Sequence, residues 1–147
     1  MNTTAVANFS DLRLQRGDYE VINTVMAEAA IIYIPQNNGY KIIGTDENFE
    51  LSYKIVKKLG WECKHSGVLQ LGYLGNDYVS VTSRLYSPED VARGLAIYRA
   101  INDATQQGGD GLIEPIVSTS VQQNGKSITF VSRVSAKVIR LKTNGEL

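Results

Sequence analysis

Cys63 and His65 form the chain's one thiol–imidazole pair, because the sequence holds a single cysteine and a single histidine. If Trp61–His65 is extended, alternation places both on one face, about 6.5–7 Å apart along the strand. Such a pair offers two ligands to zinc or copper, or a thiolate with a base beside it. A structural zinc site takes four ligands, and nucleophilic catalysis needs a third, orienting group and an oxyanion site. The sequence completes neither set without unspecific carboxylates. The competing reading is a strand cysteine beside a solvated histidine. With one cysteine, an intrachain disulfide and a multi-cysteine metal site are both excluded.

The remaining candidates for chemistry are weaker. Gly108-Gly109-Asp110-Gly111 has the composition of a phosphate loop, but it follows a helix pattern and no Gly-Lys-Ser/Thr is present. It reads as a helix stop, with Asp110 bonding backbone N–H groups locally in the turn. Glu20 and Glu28 lie on one extended segment, roughly 26 Å apart by strand rise, too far for shared acid–base work. Helix starts at Thr45 and Ser87 offer free N–H groups to an anion, yet acidic residues occupy both first turns. No Ser/His/Asp arrangement and no cofactor motif emerge, so the sequence supports no catalytic residue.

Those residues must be held by a scaffold whose outline the hydrophobic pattern gives. Tyr19–Ile34 has apolar residues on both parities and reads as a central strand covered on two sides. Pro35–Gly39 is a turn and Tyr40–Ile43 a short strand. Thr45, followed by Asp46 and Glu47, predicts a capped amphipathic helix over residues 46–59, with Phe49, Ile55, Val56 and Leu59 as its stripe and Gly60 as its stop. Residues 67–78 read as a bulged strand or packed loop, and Tyr78–Tyr86 as a strand, with an edge near Val79–Leu85. Ser87-Pro88-Glu89-Asp90 opens a second helix over 88–107, its core stripe drawn from Val91, Leu95, Ile97, Tyr98, Ile101 and Ala104. Leu112–Gln122 and Lys126–Lys142 then form a hairpin turning at Asn124-Gly125. On its second strand Ile128, Phe130, Val134, Ala136 and Val138 share the buried face. The fold class is α+β: a mainly antiparallel sheet, two amphipathic helices and a C-terminal β-hairpin.

Composition sets the outer bounds. At 147 residues with 43% apolar and 20% charged side chains, the chain has the size and character of one globular domain. Residues 1–16 read as a flexible N-terminal arm and 17–147 as a single domain. Fifteen cations balance fifteen anions, so no global field favours nucleic acid, and no reading motif for DNA or RNA is present. The cations Lys126, Arg133, Lys137, Arg140 and Lys142 read as a solvated strand face. No apolar run approaches the roughly 20 residues of a membrane helix, and the N-terminus lacks signal-peptide character. As written the chain reads as cytoplasmic, or as an envelope protein whose leader was removed.

Two stretches together carry a family resemblance. Gly17–Ala29 (Gly-Asp-Tyr-Glu-Val-Ile-Asn-Thr-Val-Met-Ala-Glu-Ala) resembles the opening strand of small bacterial YbjQ-like and TRL-like proteins of unknown function. Ala100, Ala104 and Gly108–Ile113 resemble their helix end, and a long hairpin also closes those domains. The resemblance implies a compact α+β domain that assembles into rings or other homo-oligomers, and no known activity. The chain departs from that pattern in lacking a lipobox cysteine and in carrying an insertion at about 35–86.

The resulting expectation is a non-enzymatic, homo-oligomeric structural protein whose partner is itself. Contact runs through strand edges and a tyrosine-rich surface, with Leu14, Tyr19, Phe130 and Val134 as interface residues; eight tyrosines suit surfaces half buried and half wet. The alternative is a small-ligand or metal-binding domain built on Cys63 and His65, and the third reading is an enzyme of another class.

Overall fold

In the computed structural model the described residues are 7–8, 16–56, 60–72 and 87–142. They form a seven-stranded sheet with one long helix on one face. The strands are β1 (Ala7–Asn8), β2 (Tyr19–Gln36), β3 (Gly39–Gly44), β4 (Phe49–Val56), β5 (Gly60–Gly67), β6 (Gly111–Asn124) and β7 (Ser127–Leu141), with helix α1 (Pro88–Gln106) between β5 and β6. Their order is β1-β6-β7-β2-β3-β4-β5, and every pairing is antiparallel except the two-residue parallel contact of β1 with β6. Most of the expected N-terminal arm, the residues 57–59 and the expected strand at 78–86 lie outside the described residues.

The centre is β2 paired with β7. Ile31 lies opposite Phe130, Ala29 opposite Ser132, Ala27 opposite Val134 and Val25 opposite Ala136. These side chains point to the same side of the sheet and meet α1. Ile31, Ala29, Val25, Val134, Ala136 and Val138 are 0–3% exposed. A bulge between Val21 and Asn23 resets the alternation at the start of β2.

Helix α1 begins as the sequence predicts. Ser87 Oγ accepts from Asp90 N at 3.1 Å, and Pro88 occupies the first turn where its missing N–H costs nothing. A cap of this kind stabilises a helix by about 1 kcal/mol. At the other end, Gly108 at φ +78 turns the chain back, and the N–H groups of Gly108 and Gly109 bond to Thr105 O and Ala104 O. The buried face is broader than a single stripe, because a line of alanines (Ala92, Ala96, Ala100, Ala104) joins Val91 and Leu95. Those small side chains let the helix axis approach the sheet. The helix is also covered on a second flank. Gly72 N donates to Gly94 O at 2.8 Å, and a Cβ on Gly72 would stand 2.8 Å from Ile97 Cγ2. Close approach of residues 68–72 to α1 therefore depends on that glycine.

Four expectations need correction. The helix predicted over 46–59 is absent: 49–56 is strand β4, in which Phe49, Leu51 and Tyr53 alternate inward at 3%, 0% and 1% exposure. Thr45 does not cap a helix there; its hydroxyl donates to Ala30 O at 3.1 Å, while Asp46 and Glu47 ion-pair with Arg99 of α1. Among the described residues the two-sided cover expected for β2 is found only toward α1: on the other face Met26 is 74% exposed, while Ala30, Ile32 and Ile34 are half-buried. Asp110 bonds non-locally, its Oδ2 accepting from Leu141 N of β7 at 2.7 Å.

The hairpin turn sits one residue later than the sequence suggests. Asn124 pairs with Ser127, leaving Gly125-Lys126 as the loop with Gly125 at φ +65. Glycine in the first central position suits a two-residue hairpin loop.

Candidate functional site

Strand β5 places the Cys63–His65 pair. It is the last strand of the sheet, and every residue from Gly60 to Gly67 is exposed. Cys63 lies opposite Tyr53 and His65 opposite Leu51, so the two side chains share the face that α1 covers further along the sheet. Beside them runs an aromatic row. Tyr40 stands 4.9 Å from Tyr53, 5.3 Å from Tyr33 and 6.1 Å from Trp61, and Tyr33 meets Phe130 edge-on at 6.3 Å. Burial, then the neighbouring Tyr33 and Cys63, raises the Tyr40 phenol above its ordinary value of 10.0. Among the described residues no group of three His, Cys, Asp or Glu side chains converges for a metal ion. Cys63 and His65 thus bring two ligands of a possible four.

The acidic residues singled out on β2 are each occupied by a basic neighbour on β7. Glu28 Oε2 accepts from Arg133 Nε at 2.6 Å, and Glu20 lies 3.9 Å from Arg140. These are half-exposed pairs on a strand surface, worth about 0–1 kcal/mol each. They account for much of the basic run in β7 as partners of acids across the sheet. Lys137 does the same with Glu114, at 3.2 Å.

The four contact residues separate. Leu14 lies outside the described residues, and Tyr19 is half-buried at the start of β2. Phe130 and Val134 are 8% and 1% exposed, inside this chain's own core. The accessible apolar surface is instead on the face away from α1, where Met26 and Ile116 (70% exposed) flank a depression of about 300 Å³ that Glu28, Arg133 and Ser135 also line. No helix among the described residues is long and apolar enough to cross a membrane.

Strand β6 supplies a surface the sequence reading passed over. Beyond its contact with β1 at Gly111 and Leu112, its outer side has no partner among the described residues. Glu114, at φ +52, and Pro115 form a bulge where the register against β7 shifts. After that bulge Ser118–Asn124 is continuously exposed and contains neither charge nor proline. The signal was present in the composition of Ser-Thr-Ser-Val-Gln-Gln-Asn, but it becomes an edge only once the strand order is known.

No family model, no curated protein and no solved structure matches this chain.

Proposed function

We propose that this chain is a non-enzymatic structural unit that assembles with copies of itself by extending its sheet along the outer side of β6. The observation that carries this reading is the exposed edge from Ser118 to Asn124, which has no partner strand among the described residues. Natural sheets blunt exposed edges with charges, prolines or bulges, because unpaired N–H and C=O groups recruit other strands. Here the bulge and proline lie at Glu114–Pro115, and nothing of the kind follows them. Two copies related by a two-fold axis can lay these segments antiparallel, with no like charges brought face to face. The opposite edge fits less well, since β5 carries Glu62 and Lys64 along its exposed length. The assembling habit implied by the YbjQ-like resemblance agrees with this reading.

Size-exclusion chromatography with light scattering at micromolar concentration tests it. Wild type should run as a dimer or larger. Alternate residues of an edge strand point their N–H outward, so of Ser120→Pro and Val121→Pro one removes only an outward donor and leaves the ladder to β7 intact. That variant should be a folded monomer, while Lys64→Pro on β5 should still assemble. A strictly monomeric wild type overturns the reading.

A second reading rests on the shared face of Cys63 and His65 at an open edge. Two copies meeting along β5 would join two thiolates and two imidazoles into a four-ligand zinc set. Metal content of the native protein decides it: equal zinc in wild type and in the Cys63→Ala, His65→Ala double variant removes it.

A further inference from the structure

The hairpin that β6 enters fixes which of its backbone groups face outward. Asn124 pairs with Ser127 across the two-residue loop Gly125-Lys126. The pair that closes such a loop exchanges hydrogen bonds across it. The Asn124 carbonyl does face that way, since it also accepts from Ser127 Oγ at 3.0 Å. Register against β7 is unbroken from Asn124 back to Ile116. Alternation therefore turns the N–H and C=O of Gln122, Ser120 and Ser118 toward β7, and those of Gln123, Val121, Thr119 and Val117 outward. The bulge at Glu114–Pro115 bounds this row at one end, and the turn at Gly125 bounds it at the other.

The outward row favours one register for a second copy. A two-fold axis beside Ser120 sets Val117 against Gln123 and Thr119 against Val121, each pair twice. All four outward residues then exchange bonds, about eight in total. Moving the axis to Thr119 or Val121 leaves one outward residue without a counterpart and about six bonds. The axis beside Ser120 also opposes two β-branched side chains, Thr119 and Val121, the second of which is 58% exposed in the single chain. At its ends it brings Lys126 of each copy level with Glu114 of the other. Glu114 lies 3.2 Å from Lys137 but keeps 63% of its side chain exposed, and Lys126 has no ion-pair partner among the described residues. Charge complementarity thus agrees with the backbone count.

We infer that a second copy of this chain docks with its two-fold axis beside Ser120, in a closed pair that consumes both β6 edges. The inference rests on the assembly reading above and adds its register and its limit, because isologous pairing through this edge stops at two chains. It also singles out Val121→Pro as the substitution that removes an outward donor and spares the ladder to β7.

Disulfide trapping reads the register directly. In a Cys63→Ser background, which removes the native thiol on β5, Ser120→Cys faces its own counterpart at a non-hydrogen-bonded position. The two Cα atoms are then about 4.5 Å apart, within the span of a disulfide. Ser118→Cys and Gln122→Cys share that face but stand about 14 Å from their own counterparts. In a mild thiol–disulfide buffer Ser120→Cys should form a linked dimer at least tenfold faster than either, as read on non-reducing gels. Lys126→Glu should weaken the dimer about fivefold by light scattering, and adding Glu114→Lys should restore it. A wild type that dimerises while Ser120→Cys links no faster than Ser118→Cys or Gln122→Cys overturns the register alone. A monomeric wild type overturns the assembly reading and the register with it.

Discussion

The two faces of this sheet are built from the same strands and have opposite fates. Toward α1, β2 and β7 present Val25, Ala29, Ile31, Val134, Ala136 and Val138, all 0–3% exposed. Toward the other side the intervening residues are Met26 at 74% exposure, Glu28 ion-paired with Arg133, and half-buried Ala30, Ile32 and Ile34. The difference is not hydrophobicity alone, since isoleucines occur on both faces. It is the presence of a cover rich in small residues: the alanines of the helix and Ala29 and Ala136 of the strands belong to one buried cluster. A period-2 strand states which residues travel together, but the partner layer decides which set becomes core.

The contrast is broken most severely by removing volume from the covered face. Ile31→Ala should lower stability by about 2–5 kcal/mol, because Ile31 is fully buried and leaves a cavity. Met26→Ala, five residues earlier on the same strand, should change it by about 0.5 kcal/mol or less. Urea denaturation of both variants measures the difference. Similar losses would mean that the open face is covered in solution.

Next in size is an attempt to add volume at the seam between helix and sheet. A Cβ on Gly109 would stand 2.2 Å from Val138 Cγ1 and 3.1 Å from Ala104 O. Gly109→Ala should therefore cost about 1–3 kcal/mol through overpacking. Combining it with Val138→Ala should recover part of that loss, a coupling that a double-mutant cycle reads directly. Additive losses would show that the seam can open without resistance.

The same dependence on a partner layer explains what was legible in the sequence. The helix of residues 88–106 announces itself locally through Ser87, Pro88, the acidic first turn and Gly108. All of these act within the helix itself. Strand β4 has no such local marks. Thr45, Asp46 and Glu47 imitate a helix start, although their partners are Ala30 and Arg99, distant in sequence. The alternation of Phe49, Leu51 and Tyr53 was the truer signal, hidden because Ile55 and Val56 also fit a helical stripe. The face of β7 was readable from strict alternation, and the alanine line of α1 was not, because alanine signals close packing only when its neighbour is known. Cys63 and His65 were placed on one strand face correctly by spacing. The β6 edge and the Glu47–Arg99 corner depend on strand order and on contacts more than fifty residues apart, which no local pattern encodes.

The smallest expected effect concerns the part of the covered face where cover is incomplete. Tyr40 is half-buried in the aromatic row, and its phenol is raised chiefly by burial, then by Tyr33 and Cys63. As pH rises past the ordinary tyrosine value of about 10, an unfolded chain loses this proton while the folded chain still holds it. Folding is then linked to proton binding, so the contribution of Tyr40 to stability is intact below that pH and declines above it, through the folded-state value. Tyr40→Phe keeps the ring contacts with Tyr53 and Trp61 and should make stability fall less steeply with pH in this alkaline window. Comparing the slopes, and not the absolute stabilities, separates titration from any hydrogen bond lost with the hydroxyl. Parallel slopes for wild type and variant would place the Tyr40 hydroxyl in water, and would extend the open character of the far face to this end of the covered one.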